Sequence, residues 1–491
     1  MRLKYALHVL SVVNLKGLVF FLFLFLLPAL ISAQSTRSYS PSKLYSARSK
    51  NLIDKLKLKH DEELSSFGTA ASRQSVRQMC MFRNEFLLKQ VKERSFINDD
   101  TLTNFVEGIV RRIVAGNNLA GANRMILILN SPDVNALCYG RGLYVVTVGL
   151  LGKMRSEDEL AFIISHEMAH DQLRHVQENV MREVDTKWSN KTNEKIKKLL
   201  TDDATLEDLT SLRDWIYRAS EFGRSKEYEA DSVGFLFYRN AGYHPKSSIT
   251  ALNMLDSAKH PKYYSQHHFF SPLDSDKIPF KQVWLEERHS VYNRKPDSTF
   301  LFSIDSIQTH PPTAQRLLKL NTFIDASNQN NSHTPSVPLD YVVTTSEFQT
   351  AEAAYLANRY DQALYNILQL WTIYPHNDYL TSRATKILID ISEAKKVLAT
   401  DRYASLSRYT GHYGDCQRQV NNLLYNISIS EIGEVAFGLI NNKSNFNSQQ
   451  PAHYYLLWRV CSLTFRDKVK AHVETAYKEK FGKKIADYEY K

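Results

Sequence analysis

Cysteine is scarce in this chain, with four residues among 491. No two of them stand in a C-x-x-C spacing, which excludes the paired-cysteine motifs of zinc ribbons and thiol redox centres. Four cysteines allow three disulfide pairings, and a Cys416–Cys461 bridge is favoured because both residues lie in one C-terminal segment. The alternative is a set of buried thiols. The four residues are Cys80, Cys138, Cys416 and Cys461.

Long apolar runs are lacking after the first 33 residues. No later run approaches the roughly 18 residues that a membrane-spanning helix requires, which separates the chain from multi-span membrane proteins. Residues 1–33 combine basic residues, an apolar core at 17–27 and a small residue before Gln34, a pattern that predicts a secretory signal peptide. An uncleaved signal anchor is the alternative. We therefore expect an exported protein of a periplasm or secretory lumen, soluble after signal cleavage.

A concentrated charge of one sign is lacking as well. The net charge is +10 over 491 residues, and the basic residues are scattered rather than gathered in an aromatic-rich strip. We therefore expect no nucleic-acid partner. Contact with an anionic membrane surface stays open as an alternative. The composition, 43% hydrophobic and 23% charged, is that of a globular protein with room for two to three domains.

The most informative segment that is present is the HExxH sequence from His166 to His170. On a helix these two histidines lie one turn apart and can present their ring nitrogens to one metal ion. Glu167 would lie beside the metal, where a carboxylate can take a proton from water. Zinc suits this arrangement because three protein ligands leave a fourth position open. Since HExxH arises by chance in about 3% of such chains, the surrounding sequence has to support it.

The surrounding sequence predicts a buried helix. Ser156 is a plausible N-cap, and residues 157–159 are acidic, as the first turn of a helix favours. The apolar run 160–164 then leads into HExxH without Gly or Pro. Internal hydrogen bonding is the alternative for buried polar groups, but three of them at this spacing favour a metal.

A candidate third ligand lies downstream, in the sequence Glu227 to Asp231. These two carboxylates are one helical turn apart, so Glu227 can complete a His/His/Glu set. Asp231 can accept a hydrogen bond from the non-ligating nitrogen of a metal-bound histidine. Glu229 lies about 200° around the helix from Glu227 and is expected to face solvent. An ordinary charged helix face is the alternative for this segment alone.

Together these segments resemble a family of HExxH zincins that includes the HtpX heat-shock protease, the BepA-like proteases, the mitochondrial Oma-type protease and the CAAX prenyl endopeptidase. The family pattern of HExxH, ExxAD and HPxxxxR reads here as His166 to His170, Glu227 to Asp231 and His310 to Arg316. Residues 135–151 also resemble the family segment before HExxH, a strand at the cleft edge along which an extended substrate lies. The resemblance covers roughly residues 75 to 325, and the predicted export signal favours the BepA-like branch.

The resemblance implies a role for each matching residue. His166, His170 and Glu227 would bind one zinc ion, and Glu167 would be the general base. His310 and Arg316 would be catalytic residues near the metal, where they stabilise the oxyanion. In a self-inhibited state, His310 would instead occupy the open zinc position. The alternative for His310 is a turn residue before two prolines. His175 recurs in relatives too. It lies about 140° around the helix from His170, so we do not expect it to bind the same metal ion.

The chain divides into five predicted parts. A lysine- and acid-rich stretch at 185–208, between the two ligand helices, could form a mobile helical flap. Strands are expected at 125–129 and 143–148. The parts are a signal peptide at 1–33, a polar N-terminal segment at 34–74, a zinc metalloprotease domain at 75–325, a linker at 326–345 and a helical tetratricopeptide-like domain at 346–491.

The last part carries a repeat signature. Tyr360, Ala363 and Pro375 fall at the Tyr, Ala and Pro positions of a tetratricopeptide repeat, and Asn358 replaces its usual Gly. A generic helical hairpin is the alternative. One repeat cannot bury its own apolar face, so neighbouring helices must cover it.

The predicted fold class is α+β, a predominantly helical zincin protease domain with a small sheet, followed by an α-helical tetratricopeptide-like domain. The predicted function is a zinc-dependent endopeptidase of the cell envelope, acting on polypeptide substrates that are misfolded or misassembled exported proteins. One alternative is a chaperone or assembly factor with a latent protease site, contacting envelope assembly machinery through residues 346–491. Another is a structural zinc site, which would not need the base Glu167.

Overall fold

The computed structural model describes most of the two predicted domains. The predicted signal peptide, most of the predicted flap at 185–208, and His310 lie outside the described residues. The described residues are 38–119, 123–187, 224–258, 269–274, 278–287, 313–325, 338–404 and 415–490.

In the described residues before β1, the chain forms three α-helices. The first of them lies inside the polar N-terminal segment 34–74 and buries Leu52 and Leu56 against the sheet. The third begins after Asp99, whose side chain accepts hydrogen bonds from the backbone N–H groups of Thr101 and Leu102. It then buries apolar residues at helical spacing along one face. The helices are α1 (Lys50–Ser65), α2 (Gln74–Lys92) and α3 (Asp100–Gly116).

The sheet has three strands, β1 (Met125–Leu129), β2 (Ala136–Gly140) and β3 (Leu143–Thr147), in the order β1-β3-β2. β3 is central, parallel to β1 and antiparallel to β2. The outer edge of β1 is covered, because Ile97 N–H donates to the Ile128 carbonyl at 2.9 Å. Among the described residues, the outer edge of β2 carries no further strand.

The helices of the protease domain follow the sheet. The HExxH helix, α5, packs against β2 and crosses α7 closely at Gly234. A Cβ at Gly234 would lie 2.9 Å from the Cα of His166, so only glycine permits this approach. The helices are α4 (Val148–Leu151), α5 (Glu157–Gln172), α6 (His175–Lys187), α7 (Arg224–Asn240), α8 (Ser247–Ser257) and α9 (Thr313–Asp325).

In residues 338–404 and 415–490, seven further α-helices form the C-terminal region. They enclose their own apolar core, which also takes in Phe269, Phe270 and Trp284 from the preceding segments. The helices are α10 (Leu339–Leu356), α11 (Tyr360–Ile373), α12 (Asp378–Lys396), α13 (Asp415–Asn426), α14 (Ile429–Ile440), α15 (Pro451–Leu463) and α16 (Asp467–Phe481).

Helix α10 joins the two regions. Val342 and Ala353 pack in the core of the protease domain, whereas Phe348 and Ala354 pack in the core of the C-terminal region. The helix begins at Leu339, inside the segment 326–345 that the sequence predicts as a linker. A linker would therefore end before Leu339, and the two regions share one rigid helix.

The hairpin of α10 and α11 has the connection that the repeat signature predicts. Asn358, which stands at the usual Gly position, adopts a left-handed φ of 57°, a conformation that Asn tolerates better than most residues. Ala363 is fully buried at the contact between the helices. The repeat assignment itself stays a prediction.

The predicted fold class is confirmed, since a mainly helical domain with a small sheet precedes a helical region. The Cys416–Cys461 bridge is wrong: all four cysteines carry thiols, and both of these are buried in the C-terminal core as apolar side chains. No single helix in the described part of the chain is long and apolar enough to cross a membrane. Taken together, α13 and α14 have the necessary length and apolar composition, but they are bent by 117° to each other.

Candidate metal centre

Helix α5 forms where the sequence predicts it. The Ser156 hydroxyl accepts a hydrogen bond from the Glu159 N–H at 3.2 Å, which satisfies a backbone donor of the first turn. Every residue from 159 to 170 is buried, so the helix lies in the protein interior on all sides. The HExxH side chains are therefore held by a rigid, fully packed element.

Two histidines and a glutamate meet between α5 and α7. The Nε2 atoms of His166 and His170 are 3.0 Å apart. The carboxylate of Glu227 lies 3.5 Å from His166 Nε2 and 3.6 Å from His170 Nε2. One ligand atom from each residue lies within 4.8 Å of the others, and all three side chains are buried. Two imidazoles and one carboxylate are a donor set that zinc accepts in catalytic sites, so the residues fit the predicted ion.

The other side of His166 is fixed by a carboxylate. Asp231 Oδ1 lies 3.0 Å from His166 Nδ1, the contact that the sequence predicts for it. A proton on Nδ1 leaves Nε2 free to bind a metal. Burial lowers the pKa of His166, but the hydrogen bonds with Asp231 and Glu227 outweigh it and raise the pKa to about 10.

Arg316 lies against Asp231. Its Nε donates to Asp231 Oδ2 at 2.8 Å and its second guanidinium nitrogen donates to Oδ1 at 2.6 Å, a bidentate pair. Burial raises the pKa of Asp231, but the two bonds from Arg316 hold it well below its ordinary value. These bonds favour a positioning role for Arg316, acting through Asp231 on His166, over the predicted contact with an oxyanion.

Glu167 has the environment of a general base. Its side chain is buried, and this burial raises its pKa to about 7, although the nearby His166 lowers it. The backbone N–H of Cys138 on β2 donates a hydrogen bond to the carboxylate. A carboxylate with a pKa near neutrality can accept a proton from water and release it again.

The strand beside Glu167 is β2, whereas the strand predicted at 143–148 is β3. Tyr144 is on β3, which is paired on both sides. Directly before β2, the Asn135 carbonyl accepts from the Thr147 N–H at 3.1 Å. In an antiparallel pair the alternate residues Ala136 and Cys138 then turn their backbone groups away from β3. The outward-facing edge of β2 is the one that reaches Glu167.

Asp171 is a site-supporting residue that sequence reasoning missed. Its Oδ2 accepts from the Gly142 N–H at 2.8 Å and from the Tyr144 hydroxyl at 3.0 Å. These bonds hold the turn between β2 and β3 against the end of the HExxH helix. Arg141 and Gly142 both have a positive φ in this turn, so the only advance signal was a glycine-containing turn before a strand.

His175 lies beside the cluster without joining the ligand set. Its Nδ1 is 3.0 Å from Nδ1 of His170, and its Nε2 is 3.5 Å from a carboxylate oxygen of Glu229. The side chain of Glu229 is 54% exposed, so it faces solvent at the rim of the site as expected. His310 lies outside the described residues, and its predicted role is not placed by the structure.

A HExxH helix, a glutamate ligand from a second helix and an open strand edge beside the base define the active-site class of zinc metallopeptidases. Residues 101–324 match the sequence profile of Peptidase family M48. The match lies within the predicted protease domain and includes both helices that carry the metal-binding residues. Members of the family are zinc-dependent, which confirms the predicted cofactor.

Three relatives illustrate the similarity. The chain is 30% identical over 168 residues to the Mitochondrial metalloendopeptidase OMA1 of Arabidopsis thaliana, covering 34% of this chain and 33% of that protein. It is 21% identical over 344 residues to the Beta-barrel assembly-enhancing protease of Escherichia coli (strain K12), and 23% identical over 353 residues to that of Yersinia pestis. Each of these two alignments covers 69% of this chain and 68% of the relative. The chain thus spans about a third of the plant relative and two thirds of the bacterial ones.

Proposed function

We propose that this chain is a zinc-dependent endopeptidase of the cell envelope that degrades misfolded or misassembled exported proteins. The observation that carries the proposal is the buried cluster of His166, His170 and Glu227, with Glu167 beside it and beside the outer edge of β2. The envelope assignment is supported by the predicted signal peptide and by the bacterial relatives, which are named for β-barrel assembly.

Each residue of the site has its own role in the proposed reaction. His166, His170 and Glu227 hold the zinc ion, which when bound acts as a Lewis acid and lowers the pKa of water. Glu167 takes a proton from the attacking water and gives it to the leaving amine. Arg316 holds Asp231, and Asp231 holds His166 in the tautomer and orientation that a ligand needs. His310 is assigned the predicted contact with the oxyanion.

The substrate needs an extended backbone in this scheme. The outward-facing backbone groups of Ala136 and the outward-facing carbonyl of Cys138 offer hydrogen bonds to a strand added at the edge of β2, while the Cys138 N–H contacts Glu167. An unfolded or misassembled protein supplies such a strand, whereas a folded domain keeps its backbone groups paired. This requirement explains why damaged proteins, rather than native ones, are the proposed substrates.

Replacing Glu167 with glutamine tests the proposal. Glu167→Gln keeps the shape of the side chain but removes the base, so zinc content and melting temperature should stay at wild-type values while cleavage of reduced casein is lost. Glu107→Gln is the matched control, since Glu107 is an exposed glutamate of α3 that pairs with Arg111, and its variant should keep its activity. Wild-type cleavage by Glu167→Gln would contradict the assignment. Envelope proteins that accumulate uncut in cells carrying this variant would identify the substrates.

A chaperone or assembly factor with a latent protease is the second candidate. It is favoured by α10, which shares its buried residues between the protease core and a large helical core and so ties the two regions together. In this case contact with assembly machinery through residues 346–491 would be the main function. Full rescue of a deletion phenotype by Glu167→Gln would support the second candidate, and failure of rescue would support the peptidase.

A further inference from the structure

The segment after α16 folds back onto the C-terminal region. Gly482 ends α16 with a left-handed φ of 67°, and the chain then makes a short helical turn at Ile485–Asp487. Ile485 is buried, which anchors the segment. Tyr488 and Tyr490 follow in the sequence Asp-Tyr-Glu-Tyr, and both rings are half-buried.

The two tyrosines contact the same residue of α15. The ring centroid of Tyr455 is 5.3 Å from that of Tyr488 and 6.0 Å from that of Tyr490, with Tyr490 stacked at 27°. Tyr488 has extended backbone angles. In an extended chain the side chains at positions i and i+2 point the same way, which explains why alternate residues share one surface.

Two cations of α12 complete the surface. Arg383 and Lys386 lie 5.6 and 5.9 Å from the ring centroid of Tyr490. Arg383 is also 4.1 Å from the ring of Tyr355 on α10. We call the surface made by Tyr355, Arg383, Lys386 and Tyr455 the tyrosine face. It combines aromatic rings with two cations, each paired with a carboxylate of α10 or α12, and both kinds of group suit aromatic rings of a ligand.

The tyrosine face is built without the segment that covers it. Arg383 donates to Glu352 at 2.7 Å, and the Tyr355 hydroxyl donates to Asp390 at 3.0 Å. Lys386 bonds the same Asp390 at 2.6 Å. These contacts join α10 and α12 directly, so the side chains stay in place when Tyr488 and Tyr490 leave.

Arg383, on the tyrosine face, carries a buried hydrogen-bond donor that lacks a partner in the described part of the chain. Its side chain is 4% exposed, yet its Nε has no hydrogen-bond partner among the described residues. A buried donor without a partner is costly, and the aromatic ring of Tyr490 offsets only part of that cost through its electrons.

We propose that the tyrosine face is a binding site for an extended segment of another polypeptide, one with aromatic residues at alternate positions. Residues 485–490 occupy the site as an internal stand-in for that ligand. Binding at this face does not depend on the metal centre, so the proposal goes beyond the peptidase activity. It gives the helical region a recognition chemistry and makes access to it a competition between the internal segment and the partner.

A labelled peptide with the sequence of residues 484–490 tests the site. It is titrated by fluorescence anisotropy into the full chain carrying Glu167→Gln, which prevents cleavage, with and without Tyr488→Ala and Tyr490→Ala. A tethered segment acts at a local concentration of about 1 mM, so emptying the face should tighten binding of a peptide with a Kd of about 10 μM by about 100-fold. Tyr455→Ala in the emptied chain should abolish binding, whereas Tyr341→Ala, which removes an exposed tyrosine elsewhere on α10, should not.

A second measurement uses the chain without substitutions in the segment and so does not depend on how those variants fold. Hydrogen exchange of residues 485–490 should become faster when the peptide is added at millimolar concentration, and a peptide with both tyrosines replaced by serine should have no effect. Equal affinity of the emptied and intact chains, or binding that survives Tyr455→Ala, would overturn the proposal. Because no readout involves proteolysis, either result leaves the peptidase assignment untouched.

Discussion

Removing Arg316 should destabilise the protease domain and weaken zinc binding together. In Arg316→Met a side chain of similar length replaces the guanidinium, and Asp231 loses both of its bonds from Arg316. Asp231 is 1% exposed and Arg316 is 5% exposed, so water cannot readily replace the lost partner. Breaking a buried ion pair from one side costs about 3–5 kcal/mol. For a domain of this size that corresponds to a fall of about 10 °C in melting temperature.

The effect on zinc has the same origin. Asp231 would keep its contact with His166 Nδ1 but would no longer be held in place, so His166 loses its fixed orientation. Loss of such a supporting partner typically weakens metal affinity by about 10- to 100-fold. Competition with a fluorescent chelator measures the affinity, and differential scanning fluorimetry of the zinc-free chain measures the stability separately.

Two further variants identify the cause. Lys319→Met removes a positive charge from the same helix, α9, where Lys319 lies 5.0 Å from the ring of Tyr228, and should leave zinc affinity unchanged. Arg316→Met combined with Asp231→Asn removes the unpaired charge as well, so the double variant should be more stable than Arg316→Met alone. If Arg316→Met melted and bound zinc like the wild type, the positioning role would be refuted.

Two smaller predictions concern a hydrogen bond and an ion pair that stabilise the fold. Tyr144→Phe removes the hydroxyl bond to Asp171 and should lower the free energy of unfolding by about 1 kcal/mol in urea denaturation; no change would contradict that role. Burial raises the pKa of Glu431, but its bond from Lys281 outweighs this and holds it at about 2, below the ordinary 4.5. The pair therefore stabilises the fold fully above pH 4.5 and loses its effect as the pH falls toward 2. Lys281→Met should cost no more than about 1 kcal/mol at pH 7, because the pair is partly exposed, and nothing near pH 2; a pH-independent cost would refute it.

The parts of the site that could be predicted are those set by local spacing. His166 and His170 are one helical turn apart, and so are Glu227 and Asp231. Once each segment is a helix, the spacing alone directs each pair to one face. Capping by Ser156 and the apolar run after it are local as well, which is why the helix itself could be predicted.

The order of the strands could not be predicted in the same way. Strand β3 is flanked on both sides because β1 pairs with it in parallel, and this pairing depends on contacts between segments that local periodicity does not report. The alternation of buried residues identifies a strand but not its neighbours. The sequence therefore indicates a strand in this segment without indicating that β2, rather than β3, has the outer edge.

Arg316 shows that a sequence motif can identify a site residue without indicating its contacts. The HPxxxxR motif marks it as part of the site, and the resemblance suggested an oxyanion contact. The structure instead gives both of its bonds to Asp231, which lies 85 positions earlier in the chain. The network from Arg316 through Asp231 to His166 joins three helices, so its meaning depends on tertiary packing. A charge this deeply buried is retained only where another buried group requires it. Here that group is the carboxylate that orients a zinc ligand.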